Sequence, residues 1–267
     1  HSVAAVCLWA SLAFSVSAQD SGQTNTGESA LFRGKQLLMT GSYAAATDIF
    51  QMADGLDRNE GLVGASKAFA MMGNYIDAMS VVESAIDDDE YARFPLLSTQ
   101  LAEVKRAVGE SKEALEILES VVAGLAEPPV RTLVQYGSLL DFVGQKQIAF
   151  SILDQAVQRY NNGLVFASED VAMVALASWL MGNFHDANSL FNEATRANPN
   201  NLEAHSLWGD LFLEKYNASD AERSYQEAID INGRYVPALV GMANVVGDER
   251  ALQRALAINP NSIPAME

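Results

Sequence analysis

The chain has 267 residues, 49% of them hydrophobic and 19% charged, so it can bury a substantial core. Its formal net charge of −17 repels nucleic-acid phosphates and anionic lipid head groups, so no nucleic-acid partner is expected. Basic proteins, peptides or cations are favoured instead, unless the acid serves only to keep the surface soluble.

The first element is SVAAVCLWASLAFSVSA, residues 2–18, without a charge and almost wholly apolar or small. It reads as the apolar core of a secretory signal, with Val16 and Ala18 at a cleavage site. A buried N-terminal helix is the alternative. The start at His1 rather than Met is read as loss of a basic leading segment. The stretch falls short of the roughly 18–20 apolar residues of a spanning helix, so the mature chain is expected to have no membrane span. Export to the periplasm or the extracellular space follows as an expectation. Cys7, the only cysteine, lies within this stretch, so disulfides and thiolate metal sites are not expected after cleavage. Residues 1–18 form the signal-like segment and 19–27 a polar linker.

From residue 28 the chain repeats itself. A small residue stands at Gly34, Ser66, Ala102, Gly137, Ala175 and Gly209, and twelve residues after each comes Ala46, Ala78, Ala114, Ala149, Ala187 or Ala221. Seven further on comes Ala53, Ala85, Val121, Ala156, Ala194 or Ala228, with Phe50, Val82, Leu118, Leu153, Phe191 or Tyr225 three residues before. Glycine follows the first small residue by seven at Gly41, Gly73, Gly109, Gly144 and Gly182, while the sixth unit has Tyr216. The units run 28–58, 60–90, 95–126, 129–161, 168–199 and 202–233. A seventh, 235–260, is shorter, because Gly241 to Ala255 spans fourteen residues where a full unit needs nineteen. Its turn falls at Gly247-Asp248, and SIPAME reads as the opening of a further, truncated unit over 263–267.

The offsets have a physical reading. Two antiparallel helices, A and B, approach closely only where facing side chains are small, so each small residue on helix A meets the alanine twelve later on helix B. Glycine at the end of helix A takes the left-handed conformation that stops it. The near-identical stretches MGNYIDA (72–78) and MGNFHDA (181–187) are the same corner in units two and five.

This pattern resembles the tetratricopeptide repeat. The sixth unit, LEAHSLWGDLFLEKYNASDAERSYQEAIDIN, carries Trp208, Gly209, Phe212, Ala221, Tyr225 and Ala228 at that family's signature positions, and Pro199 and Pro260 stand at its terminal proline. Unit three matches least, with Lys105 and Ser111 where large apolar residues are usual. The resemblance covers 28–262 and implies an all-α fold: a right-handed superhelical solenoid of about seven helix-turn-helix units, held by nearest-neighbour contacts.

The resemblance also implies a concave groove lined by A helices that binds a protein or peptide. Its offsets place there Lys35, Leu38 and Met39, then Lys67, Ala70 and Met71, then Glu103 and Arg106. Ser138, Asp141 and Phe142, then Leu176, Trp179 and Leu180, then Asp210, Leu213 and Glu214 continue it. Trp179 and Phe142 are the expected anchors, or else ordinary packing residues, because buried aromatics often dominate binding energy. The family's clamp for peptide C-termini needs Lys, Asn and Arg at places that mostly hold other types here.

No catalytic, cofactor or metal motif occurs. The three histidines, His1, His185 and His205, have no ligand spacing, and no H-E-x-x-H, phosphate-loop or nucleophile-elbow motif is present. IDDDE (86–90) reads as a solvated loop and lacks the alternating oxygens and glycine of a calcium loop. N-A-S at 217–219 fits a glycosylation acceptor. The expectation is a non-catalytic scaffold without cofactors. The alternatives are the arm of a larger secreted enzyme, for example a zinc peptidase with its catalytic domain beyond residue 267, and self-association through an uncapped end.

Overall fold

A computed structural model describes residues 24–86 and 91–266, with side chains described from Ala30 onward. The signal-like segment with Cys7, the first part of the 19–27 stretch, residues 87–90 and Glu267 lie outside the described residues.

Among the described residues there are fifteen α-helices, two single 3-10 turns and no strand. The helices pair as the repeat requires. Unit one is α1 (Thr24–Met39) and α2 (Tyr43–Phe50), unit two α3 (Arg58–Met71) and α4 (Tyr75–Glu83), unit three α5 (Pro95–Ala107) and α6 (Ser111–Gly124). Unit four is α7 (Val130–Phe142) and α8 (Lys146–Asn161), unit five α9 (Ser168–Leu180) and α10 (Phe184–Ala197), unit six α11 (Leu202–Glu214) and α12 (Ala218–Ile231). The short seventh unit is α13 (Val236–Val246) and α14 (Glu249–Ile258), and the four-residue α15 (Ile263–Met266) follows. The helix α1 starts at Thr24, inside the stretch read as a linker.

The small-residue rule governs the crossings. A Cβ added at Gly34 would lie 2.5 Å from the Phe50 ring, at Gly137 2.6 Å from Leu153 and 3.4 Å from the Ala149 carbonyl, and at Gly209 2.6 Å from the Tyr225 ring. In unit two the small residue is Ser66, whose hydroxyl donates to the Ala78 carbonyl at 2.7 Å. That bond joins the two residues twelve apart that the offset pairs. Ala46, Ala78, Ala114, Ala149, Ala187 and Ala221 are all buried, as are the larger residues Phe50, Val82, Leu118, Leu153, Phe191 and Tyr225. Each A helix also packs on the next, so the core runs continuously along the stack as a helical solenoid.

The corners follow the glycine signal. Gly73 and Gly182 have φ of +77° and +83°, with Asp77 and Asp186 in the first turns of α4 and α10, where the positive helix end favours a carboxylate. In unit six the corner keeps that conformation without glycine, and Tyr216 takes φ +57°. The seventh unit turns at Gly247 (φ +69°), and Asp248 caps α14 by accepting from the Arg250 amide at 2.9 Å.

The solenoid also closes on itself. Asn232, in the loop between units six and seven, donates from Nδ2 to the Tyr43 hydroxyl at 3.1 Å and the Leu38 carbonyl at 3.5 Å. The Tyr43 hydroxyl in turn donates to the Arg234 carbonyl at 3.1 Å. One unit further on, Asn259 donates to the Tyr75 hydroxyl at 3.1 Å and the Ala70 carbonyl at 3.3 Å, and Asn261 donates to the Gly73 carbonyl at 3.0 Å. The A–B corners of units one and two therefore rest on the loops that flank unit seven.

Candidate functional site: a cavity on the helix-A face

Winding the A helices inward and bringing the late loops onto the early corners leaves a cavity of about 500 Å³. Such a volume lies in the usual range for small-ligand and short-peptide sites. One wall is apolar: Leu38, Met39, Ala70, Met71, Val104 and Leu202. The rest is polar and highly charged.

At its centre Arg131, from the first turn of α7, donates to Glu103 of α5 at 3.2 Å and to Glu203 of α11 at 3.2 Å, with a second, shorter bond to Glu203. This guanidinium ties unit four to units three and six across the concave side. Burial alone would push the Glu203 carboxyl up. The Arg131 charge, its hydrogen bond and Lys67 outweigh that effect and hold it below the usual carboxylate range. Glu169 of α9 accepts from Asn198 at 3.3 Å.

Two polar groups in the cavity make no direct pairing. Lys67 has no carboxylate within 4.0 Å among the described residues. Burial, with a smaller push from Arg131, lowers the pKa of its ammonium, and Glu103, Glu203 and Glu169 only partly oppose this. Gln100 is 4% exposed, and its Oε1 has no hydrogen-bond partner. A half-buried cation and an unsatisfied buried amide oxygen are both costly unless water or a ligand completes them.

The expected groove divides in two. Lys35, Leu38, Met39, Lys67, Ala70, Met71 and Glu103 line this cavity, Lys35 bonding Glu60 at 2.5 Å. Arg106, Asp141, Phe142, Leu176, Trp179, Leu180, Asp210, Leu213 and Glu214 do not line it. Arg106 donates to Ser138 at 3.3 Å, and Asp210 accepts from Tyr225 at 2.6 Å. Trp179 packs against the core of units four to six and donates to Glu214 at 2.5 Å, whereas Phe142 is 70% exposed. Neither aromatic is an anchor in this cavity. In units four to six the lining comes from the first turn of helix A, at Arg131, Glu169 and Glu203. Each stands six residues before its unit's small residue, so a charge recurring at that offset was the signal available in the sequence.

A larger hollow of about 820 Å³ lies away from this face, between α10, α11 and α12. Its floor is the stacked pair Trp208 and Phe212, with ring centroids 5.5 Å apart, and buried His205, whose Nδ1 is 2.9 Å from Glu227 and Nε2 2.9 Å from the Pro199 carbonyl. These are the packed signature positions of unit six, so the hollow is a seam between units. Among the described residues, no group of three His, Cys, Asp or Glu side chains is arranged to hold a metal, and no helix is long and apolar enough to cross a membrane.

No protein-family model matches the chain, and no curated protein matches it. Several solved structures are similar. A tetratricopeptide repeat protein from Parabacteroides merdae shares 14% identity over 91% of this chain and 100% of its own, with a TM-score of 0.47. The APC/C hetero-tetramer Cut9–Hcn1 shares 18% over 84% of this chain and 43% of that one, with a TM-score of 0.48. YrrB, described as a tetratricopeptide repeat protein with an unusual peptide-binding site, shares 19% over 67% of this chain and 89% of its own, with a TM-score of 0.37.

Proposed function

Taking the chain as the tetratricopeptide-type solenoid that its recurring offsets and paired helices make it, we propose that it is a non-catalytic scaffold whose helix-A face binds a short peptide segment of a protein partner. The observation that carries this reading is the cavity beside Met71, where the Lys67 ammonium, with no carboxylate within 4.0 Å among the described residues, and the unsatisfied Gln100 carboxamide oxygen stand against an apolar wall. A peptide supplies what is missing, because its backbone and carboxylates accept from Lys67, its N–H groups donate to Gln100, and its side chains cover Leu38 and Met71. We place the protein in the cell envelope or the secretory space on the strength of the apolar 2–18 segment.

Selection of a random-peptide display library on the purified protein tests the first point. Enriched peptides should bind the wild type and lose at least tenfold in affinity on Met71→Asp with helical circular dichroism retained. Peptides indifferent to Met71→Asp would remove the cavity from the site. Fusing Met-Lys-Lys followed by residues 1–23, which restores a basic start, to a reporter active only after export tests the location, and an inactive fusion would refute it.

A further inference from the structure

We propose that the helix-A face is held closed by two of the chain's own asparagine-led turns, Asn232-Gly233-Arg234 and Asn259-Pro260-Asn261, which act as a releasable internal ligand for the corners of units one and two. The turns at 232–234 and 259–261 have the same shape: Asn232 Oδ1 accepts from the Arg234 amide at 2.9 Å and Asn259 Oδ1 from the Asn261 amide at 3.0 Å. That turn leaves each Nδ2 free to donate outward, and both donate to the same pair of groups: a carbonyl at the end of a helix A and the tyrosine hydroxyl that opens the next helix B. The Leu38 and Ala70 carbonyls lie at the helix ends and already accept from the corner amides of Gly41 at 3.2 Å and Gly73 at 3.0 Å, so each asparagine supplies a second donor.

The pairing is selective. A third turn of this shape, at 198–200, has Asn198 Oδ1 accepting from the Asn200 amide at 3.0 Å, but its Nδ2 donates to Glu169 in its own stack. On the receiving side, the residue two after the corner position is tyrosine only in units one and two. The later units carry Ser111, Lys146, Phe184 and Ala218 there. Tyrosine hydroxyls therefore mark the two corners that are filled.

The closure bears on the cavity directly. Tyr43, Asn232 and Tyr235 are part of its wall, with Asn201 and Glu203 on the same late side. A partner segment running along the A helices of units one to four would meet these groups first. The bonds that hold them are few and mostly between neutral groups, each modest in net effect because water replaces it on opening. Ile258 also packs against the unit-one core and Met71 against the Tyr225–Tyr235 core, so opening uncovers apolar contacts besides these bonds; a segment that binds the open winding has its apparent affinity reduced by the fraction open. This last consequence rests on the peptide-binding reading; the closure itself does not.

The test uses the full chain with Asn232→Ala/Asn259→Ala, and separately Tyr43→Phe/Tyr75→Phe, which keeps the rings and removes only the hydroxyls. With helical circular dichroism unchanged, small-angle scattering should give a larger radius of gyration. Amide exchange over residues 36–43 and 70–75 should quicken several-fold, and an anilinonaphthalene sulfonate dye should bind more strongly. An unchanged radius and unchanged exchange in both variants would overturn the closure. A peptide selected on the wild type should bind the opened variants several-fold tighter. Equal or weaker binding would overturn the role as a releasable ligand while leaving peptide binding itself standing.

Discussion

The Asn232 side chain sits 3.1 Å from the Tyr43 hydroxyl, 189 residues away in sequence, and Asn259 repeats that contact on Tyr75 one unit later. Each contact crosses from late to early units by the same step, so the pair records one register of the superhelical winding. A chance touch between distant loops would have no reason to recur with the same atoms.

The corner of unit six is strained. Tyr216 holds φ +57° and is 97% exposed, so its side chain gains nothing in return. A non-glycine residue there costs roughly 1–2 kcal/mol, and glycine gives back part of that through unfolded-state entropy. Tyr216→Gly should therefore stabilise the protein by about 0.5–1 kcal/mol and raise the melting temperature in calorimetry. A lower melting temperature would show that the ring holds contacts in solution that outweigh the backbone strain.

Tyr225 occupies the space that two missing side chains leave. A Cβ on Gly209 would lie 2.6 Å from its ring and one on Gly241 2.3 Å. Gly209→Leu should cost about 1–3 kcal/mol through overpacking, read as a lower urea midpoint. An unchanged midpoint would mean that α11 and α12 do not cross at this residue.

Acid should weaken the tie across the cavity. The folded-state pKa of Glu203 lies below its unfolded value, so its contribution is complete above the unfolded pKa and is lost as pH falls through the folded one. Asp210 works the other way. Burial raises its pKa and the Tyr225 hydrogen bond offsets only part of that, so its contribution is full at acid pH and fades as pH rises through the folded pKa. Arg131→Met should cost about 2 kcal/mol at neutral pH, less than for a fully buried pair because these side chains retain some solvent. The deficit should shrink in urea titrations taken down to about pH 3. A deficit independent of pH would assign the loss to packing rather than to the carboxylates.

Lys67 sets stability against binding. Its ammonium is disfavoured by burial, so the native state is penalised wherever the group must be charged. Lys67→Met should raise stability by about 1 kcal/mol and abolish binding of peptides selected on the cavity. Denaturant midpoint and fluorescence-polarisation affinity, measured on the same preparation, check both halves. A destabilised variant, or one that binds as before, would contradict the unpaired state of this lysine.

Much of this architecture can be read from residues alone, because nearest-neighbour packing has a fixed beat: Ser66 and Ala78, twelve apart, are joined through a hydrogen bond, and Gly247 turns the short last unit. The Asn232–Tyr43 contact could not be read that way. It depends on small rotations summed over six units, which no single offset encodes. The same summation divides the expected groove. Residues taken from the second half of each A helix, Arg106 excepted, reach the cavity in units one to three, but in units four to six the winding presents the first turn, so Arg131 and Glu203 enter and Trp179 and Phe142 do not. The strained corner at Tyr216 was visible as a missing glycine, yet its retained left-handed backbone was not.

The winding itself is tested most directly by alanine at equivalent corner glycines. Gly41, Gly73, Gly109 and Gly144 all have φ between +77° and +88°, so alanine strains each backbone alike. A Cβ at Gly41 would lie 2.5 Å from Asn232 Oδ1 and at Gly73 2.4 Å from Asn259 Oδ1, while at Gly109 and Gly144 it would meet nothing within 4 Å. Equilibrium unfolding should show Gly41→Ala and Gly73→Ala clearly less stable than Gly109→Ala and Gly144→Ala, which lose only the roughly 1–2 kcal/mol of the left-handed conformation. Four equal losses would mean that the early corners stand as open as the later ones and that the solenoid does not close on itself.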